Sequence, residues 1–172
     1  MNNKIRTCGP DRNIRAGLEG KTKLQKVWDL VKRTEFAQLG FLDAEGTQNI
    51  RTVWCTWHKG LKSHYISSNT SSVHIQSLLK NGKACLYFYD SNAFEGLCLW
   101  GEALVCQDEE RRKLLWTEDA LVYYPKGVND EDYSVIEFVA EGGRYYGSLG
   151  SFDITAQDIQ ESDFGDIPVN YF

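Results

Sequence analysis

Turn chemistry at short intervals constrains this chain more than any other feature. Asp43-Ala44-Glu45-Gly46, His58-Lys59-Gly60, Ser91-Asn92-Ala93-Phe94-Glu95-Gly96 and Glu141-Gly142-Gly143 each separate runs rich in aromatic and β-branched residues. Residues 35–42 and 48–57 flank the first turn and read as a hairpin, and residues 61–67 follow the second turn as a third strand. Residues 83–89 and 97–106 pair across the third, and residues 133–139 and 144–149 across Glu141-Gly142-Gly143. Strands joined by loops this tight have no room for a parallel crossover, so they run antiparallel to their neighbours. The expected fold class is mostly β: a closed or nearly closed β-barrel with flanking helices, with a sandwich as the alternative.

The helical period appears in three places. Leu24, Val27, Trp28 and Val31 put an apolar stripe on residues 21–33. The hydroxyl-rich run Ser67-Ser68-Asn69-Thr70-Ser71-Ser72 precedes Val73, Leu78 and Leu79 and predicts a short capped helix that stops near Asn81-Gly82. In residues 107–116, Asp108-Glu109-Glu110 come before Arg111-Arg112-Lys113, the charge order that suits a helix dipole. The organisation expected is an N-terminal extension over 1–20, one domain over 21–150 and an acidic arm over 151–172. That arm has no Lys or Arg, and it is expected to pack on a neighbour or to move freely.

A formal net charge of -5 and a pI near 5.2 set the surface against nucleic-acid phosphates and anionic lipid. No apolar run approaches the roughly 18 residues that would span a bilayer, and the polar start Met1-Asn2-Asn3-Lys4 lacks a secretory apolar region, so a cytoplasmic protein is expected. Cys8, Cys55, Cys85, Cys98 and Cys106 form no C-x-x-C pair and are expected to be buried thiols in a reducing compartment. His58, His64 and His74 lack zinc-type spacing, so no metal site is expected. Asp130-Glu131-Asp132 reads as a solvated acidic turn. Nucleophile-elbow, P-loop and dinucleotide glycine motifs are missing, so any catalysis is expected to rest on a bound cofactor.

The hydroxyl-rich turn is the most informative segment. Backbone N–H groups and Ser/Thr hydroxyls gathered at one spot suit a phosphate, although an ordinary capped helix looks the same in sequence. Arg51 on the preceding hairpin and His74 one turn into the helix are placed to add positive charge there. Strict alternation puts Asn49, Arg51, Val53, Cys55 and Trp57 on one face and Ile50, Thr52, Trp54 and Thr56 on the other, where Arg51 could equally be a solvated strand-end residue. Trp54, Trp57, Trp100 and Trp116 either line a flat cofactor's pocket or, as strand aromatics more often do, fill cores.

The run Gly46-x-x-x-Ile50-Arg51-Thr52-Val53, then Tyr65-Ile66-Ser67-Ser68, Ser72-x-His74, Leu78-x-x-Asn81 and Gly101, taken in that order, resembles the pyridoxamine 5′-phosphate oxidase-like family of FMN-binding split barrels. Leu115-Trp116, Tyr124-Pro125-Lys126-Gly127 and Asp132-Tyr133-Ser134-Val135-Ile136 are similar to its general stress protein 26 branch. The resemblance implies an FMN-dependent oxidoreductase that works as a homodimer. It implies an FMN phosphate held at Arg51, Ser67, Ser68, Ser72 and His74, and a flavin edge bordered by the backbone near Thr52, Val53 and Trp54. A non-catalytic flavin carrier and a haem-binding split barrel with a histidine ligand are the alternatives. The sequence departs from the family at His74, where Lys or Arg is usual, and at Gly82, where Pro is common. It also lacks the C-terminal Arg-x-His of true pyridoxamine phosphate oxidases, which points away from vitamin B6 oxidation and leaves the substrate open. Tyr145 and Tyr146 stand near the place where relatives carry an aromatic beside the flavin.

Overall fold

The computed structural model describes residues 21–148 and 150–168; the extension expected over 1–20, with Cys8, lies outside them, as do Leu149 and residues 169–172. Helix α1 (Lys21–Arg33) is followed by β1 (Phe36–Leu42), β2 (Gln48–Lys59), β3 (Ser63–Asn69) and the short α2 (Val73–Leu78). Then come β4 (Lys83–Asp90), β5 (Glu95–Cys106), α3 (Glu109–Leu115), two 3₁₀ turns, and β6 (Tyr133–Gly147). The chain finishes with β7 (Gly150–Ile154), α4 (Ala156–Glu161) and β8 (Asp166–Pro168).

Six strands pair in the order β1-β4-β5-β6-β3-β2, and β2 pairs again with β1, so the antiparallel sheet closes into a barrel. Closure leaves none of these six without neighbours on both sides, which removes the edge-strand hazard. Alternation sends Leu39, Ile66, Leu86, Phe88, Leu97, Leu99, Ile136 and Phe138 inward, each at most 2% exposed. The stripe expected on α1 lies against β4 and β5: Val27, Leu30 and Val31 are fully buried, each stabilising by roughly 1.5–3 kcal/mol. Lys26 bridges to Glu95 at 2.9 Å and Arg33 to Asp90 at 2.7 Å, fixing the helix's rotation over that wall. The first hairpin is tied by Asp43, whose carboxylate accepts from the backbone N–H of Glu45 and of Thr47 while Gly46 takes φ 80°.

Two β-bulges separate the structure from a strict two-residue alternation. Glu141-Gly142-Gly143 does not end a strand. Trp100 faces Gly142 and Gly101 faces Ala140, so Glu141 is the extra residue in one continuous 15-residue β6. The hairpin falls one segment later, at Gly147–Gly150. Gly142 is required because the Trp100 indole lies flat over it, 2.7 Å from where a Cβ would sit. A second bulge between Cys55 and Trp57 turns Trp57 outward, into a cluster with Tyr65, Leu115, Trp116, Tyr124 and Tyr133, and turns His58 into the core. His58 therefore belongs to β2 and not to the turn, which begins at Gly60 with φ 54°.

Residues 151–168 of the arm expected over 151–172 run along this chain's own sheet. β7 pairs with β6, and β8 pairs with β2 at Trp57, His58 and Lys59. Thr155 and Asp158 make a reciprocal capping box at the start of α4, and Phe164 stacks on Trp28 with centroids 5.4 Å apart. The cysteines divide: Cys55 is buried and its thiol pushed up by desolvation, whereas Cys85, Cys98 and Cys106 are only partly covered. No helix among the described residues is long and apolar enough to cross a membrane.

Candidate functional site

Arg51 is cross-strand partner to Leu39, which points it along the inner face at the start of β2. Ser68, opposite Ser134, does the same at the end of β3. The turn of residues 69–72 then swings α2 back over this end of the barrel, and its first turn brings His74 between the two strands. Arg51 Nη1 lies 2.7 Å from His74 Nδ1, and Ser68 Oγ lies 2.7 Å from His74 Nε2. Ser72 Oγ is 3.4 Å from the same Nε2, and it donates to the Asn69 carbonyl at 2.6 Å instead of capping α2.

These contacts settle the imidazole's state by donor arithmetic. A guanidinium has only donors, so Nδ1 must accept, and the ring's single proton sits on Nε2 and donates to Ser68 Oγ. A doubly protonated ring could not make both bonds. Burial, and then the Arg51 charge, push the His74 pKa down to about 4. The expectation that His74 adds a second cation is thus corrected: it is a neutral brace for Arg51. Arg51 itself is exposed and has no carboxylate partner among the described residues.

The turn is held by a residue that sequence reasoning left to solvent. Asp132 accepts from Asn69 Nδ2 at 2.9 Å and from the Ser71 N–H at 2.7 Å, and its backbone carbonyl accepts from Thr70 N–H at 2.7 Å. Those bonds hold the Asp132 carboxyl below its usual range. Asp130 is also buried, accepting from the N–H groups of Lys126 and Asp132. The signal in sequence was the Asp-x-Asp spacing before a strand, since an Asp carboxylate anchors a turn by accepting from the backbone N–H two residues on, as Asp130 does from Asp132.

Of the eight expected site residues, Arg51, Ser68, Ser72 and His74 converge. Thr52, Trp54 and Ser67 point the other way, onto the outer face, where Trp54 sits beside Phe36 with ring centroids 6.5 Å apart. Val53 is buried, so its backbone alone can border a ligand. Tyr145 is buried and stacked on Phe152 at 4.7 Å, while Tyr146 is exposed against Phe94. The outer face also exposes Phe36, Tyr89 and Trp100. Trp57 and Trp116 are core-type residues of the second cluster.

A six-stranded antiparallel barrel with a polar cluster at one end and helices on its flanks defines the class: a split barrel. The chain belongs to the pyridoxamine 5′-phosphate oxidase-like family, whose profile matches residues 22–165. It is similar to a Clostridium acetobutylicum protein related to general stress protein 26 of Bacillus subtilis: 36% identity, TM-score 0.71, covering 79% of this chain and 96% of that one. General stress protein 26 from Bacillus anthracis shares the fold at 12% identity and TM-score 0.63, covering 77% of this chain and 98% of that one. A haem-binding protein from Mycobacterium smegmatis does so at 16% identity and TM-score 0.64, covering 79% of this chain and 59% of that one. Among curated proteins, none matches.

Proposed function

We propose that this protein binds FMN in a groove between two copies of itself and acts as a cytoplasmic FMN-dependent oxidoreductase. The observation that carries this reading is the exposed Arg51 guanidinium, without a carboxylate partner among the described residues and held in place by a neutral imidazole, with the Ser68 and Ser72 hydroxyls beside it. A donor-rich cluster with one net positive charge fits a phosphomonoester. Arg51 binds it, His74 orients the guanidinium, Ser68 donates its own proton once His74 occupies its lone pair, and Asp132 fixes the turn that carries Ser72. When bound, the flavin ring supplies the hydride or electron chemistry. The exposed aromatics Phe36, Tyr89, Phe94, Trp100 and Tyr146 on the outer face form apolar surface of the kind a second copy covers.

The three histidines are all at most 3% exposed, so none stands open as an axial haem ligand. The test is titration of the purified chain with FMN, followed by flavin fluorescence. Wild type should saturate, and Arg51→Ala should raise the dissociation constant about 10- to 100-fold, the loss of one charge-assisted contact. An unchanged constant in Arg51→Ala, or no uptake by wild type, overturns the reading; a Soret band on adding haem moves it to the haem alternative. Bleaching of bound flavin by a nicotinamide donor separates an oxidoreductase from a passive carrier, and sedimentation tests the dimer.

A further inference from the structure

The core imidazoles His58 and His64 play no part in the phosphate cluster, which lies toward the opposite end of β2, about 20 Å along the strand at Arg51. Their Nδ1 atoms meet at 2.7 Å, and both rings are at most 1% exposed. Trp28 of α1 stands edge-on to His58 with centroids 6.2 Å apart, while Phe88 of β4 and Phe138 of β6 form the other aromatic walls. A backbone hydrogen bond at Leu61 is the one contact that favours charge on His64. The charged side chains of the surrounding elements are engaged elsewhere. Lys26 and Arg33 of α1 bridge to Glu95 and Asp90, and Glu137 of β6 takes Tyr65 and Arg111. Asp29, Lys59 and Lys62 are exposed.

The cover over this pair is slight. Phe164 stacks on Trp28 at 5.4 Å, the Gly60 N–H donates to the Gly165 carbonyl at 3.0 Å, and β8 sets Pro168, Ile167 and Asp166 opposite Trp57, His58 and Lys59. Phe164 and Ile167 are its apolar anchors, both half-buried, while Asp163, Gly165, Asp166 and Pro168 are exposed. β8 is three residues long and ends the sheet, whereas each barrel strand is paired on both sides. Lifting residues 163–168 therefore costs far less than opening the barrel. These residues share none with the aromatic wall of Phe36, Tyr89, Phe94, Trp100 and Tyr146.

We propose that residues 163–168 are an acid-released strap: when they swing off Trp28, water reaches the imidazole pair and a proton from solvent holds the strap open, while the six-stranded barrel stays closed. The closed form has no counter-charge for an imidazolium, so it binds the proton weakly and the open form binds it well. Two imidazoliums at this separation repel, so one proton per pair drives the step. Burial pushes His58 down to about 4, and water restores the ordinary value near 6.5. The closed strap is thus fully favoured above pH 6.5, and opening gains about tenfold for each pH unit below it until pH 4.

The test is amide hydrogen exchange of the full chain by mass spectrometry from pH 7 to 4.5, corrected for the intrinsic pH dependence of exchange. Peptides holding Gly60 and residues 163–168 should exchange about tenfold faster per pH unit below 6.5, while β4 and β5 peptides holding Phe88 and Leu97 stay protected. His58→Leu with His64→Leu should remove that slope. Phe164→Ala keeps both imidazoles in place and weakens only the strap's hold, so the test survives if the double variant fails to fold. It should speed strap exchange at pH 7 about tenfold or more, again with β4 and β5 protected. Strap exchange indifferent to pH, a slope that persists in the double leucine variant, or strap and barrel peptides that lose protection in parallel would overturn the proposal. None of these readouts involves FMN.

Discussion

Two histidine contacts of the same length lie at opposite extremes of solvation in this barrel. Under α2, His74 meets Arg51 at 2.7 Å, with an exposed cation on the far side. In the core, His58 Nδ1 meets His64 Nδ1 at 2.7 Å, both rings at most 1% exposed, walled by Trp28, Phe88 and Phe138. In that inner pair one ring donates and the other accepts, which leaves one bare nitrogen and one N–H at the two Nε2 atoms, both shut away from water. Burial pushes the His58 pKa down to about 4 and His64 well below its ordinary value, helped there by His58 itself. The same side chain thus seals a core in one place and braces a ligand-binding cation in the other. What distinguishes them is access to water and to an anion, not the hydrogen bond.

The sharpest way to break this contrast is to remove one core ring. His64→Ala leaves a cavity and a stranded His58, and should cost about 3 kcal/mol in urea unfolding. A loss below 1 kcal/mol would mean the pair is not sealed. The next effect is acid lability. Both core rings are neutral when folded and titrate near 6.5 when unfolded, so the unfolded chain takes up protons first. Stability is complete above pH 6.5 and falls as pH drops toward 4, by about 1 kcal/mol per pH unit for each ring. Urea midpoints across that range check it, and His58→Leu with His64→Leu together should flatten the profile.

Effects at the site are smaller and fall on binding. Asp132→Ala frees the turn of residues 69–72 and should weaken FMN about tenfold or less, the loss of one typical hydrogen bond, with faster amide exchange at Ser71. His74→Lys sets a second cation against Arg51. It should lower the unfolding midpoint slightly without ligand and tighten FMN above pH 7, where an anion resolves the repulsion. If the affinity at pH 8 is unchanged or weaker, His74 serves Arg51 in a way that lysine cannot replace.

Much of the fold was legible because turn residues punctuate it. Asp43 and Gly46 marked the first hairpin, and the Leu24, Val27, Trp28, Val31 stripe located α1 on the barrel. The misplaced strand residues share one cause. A bulge adds a residue without a compositional mark, so strict alternation misplaced Trp57 and His58, and the glycines at 142 and 143 read as a turn when they make room for Trp100 and Leu99. Arg51, Ser68, Ser72 and His74 could be gathered from sequence because hydroxyl-rich turns and lone strand cations are unusual. The charge state of His74 could not, since it depends on which nitrogen meets which donor. Asp132 was missed because its partners lie more than sixty positions away, at Asn69 and Ser71.

The stack of Phe164 on Trp28 joins the first described helix to nearly the last described segment, and Trp28 in turn packs edge-on against His58 at 6.2 Å. A growing polypeptide therefore cannot finish enclosing its inner imidazoles until residue 164 has left the ribosome. Until then Trp28 lacks its Phe164 cover, and the barrel end over the two imidazoles stays open to water although all six barrel strands have been made.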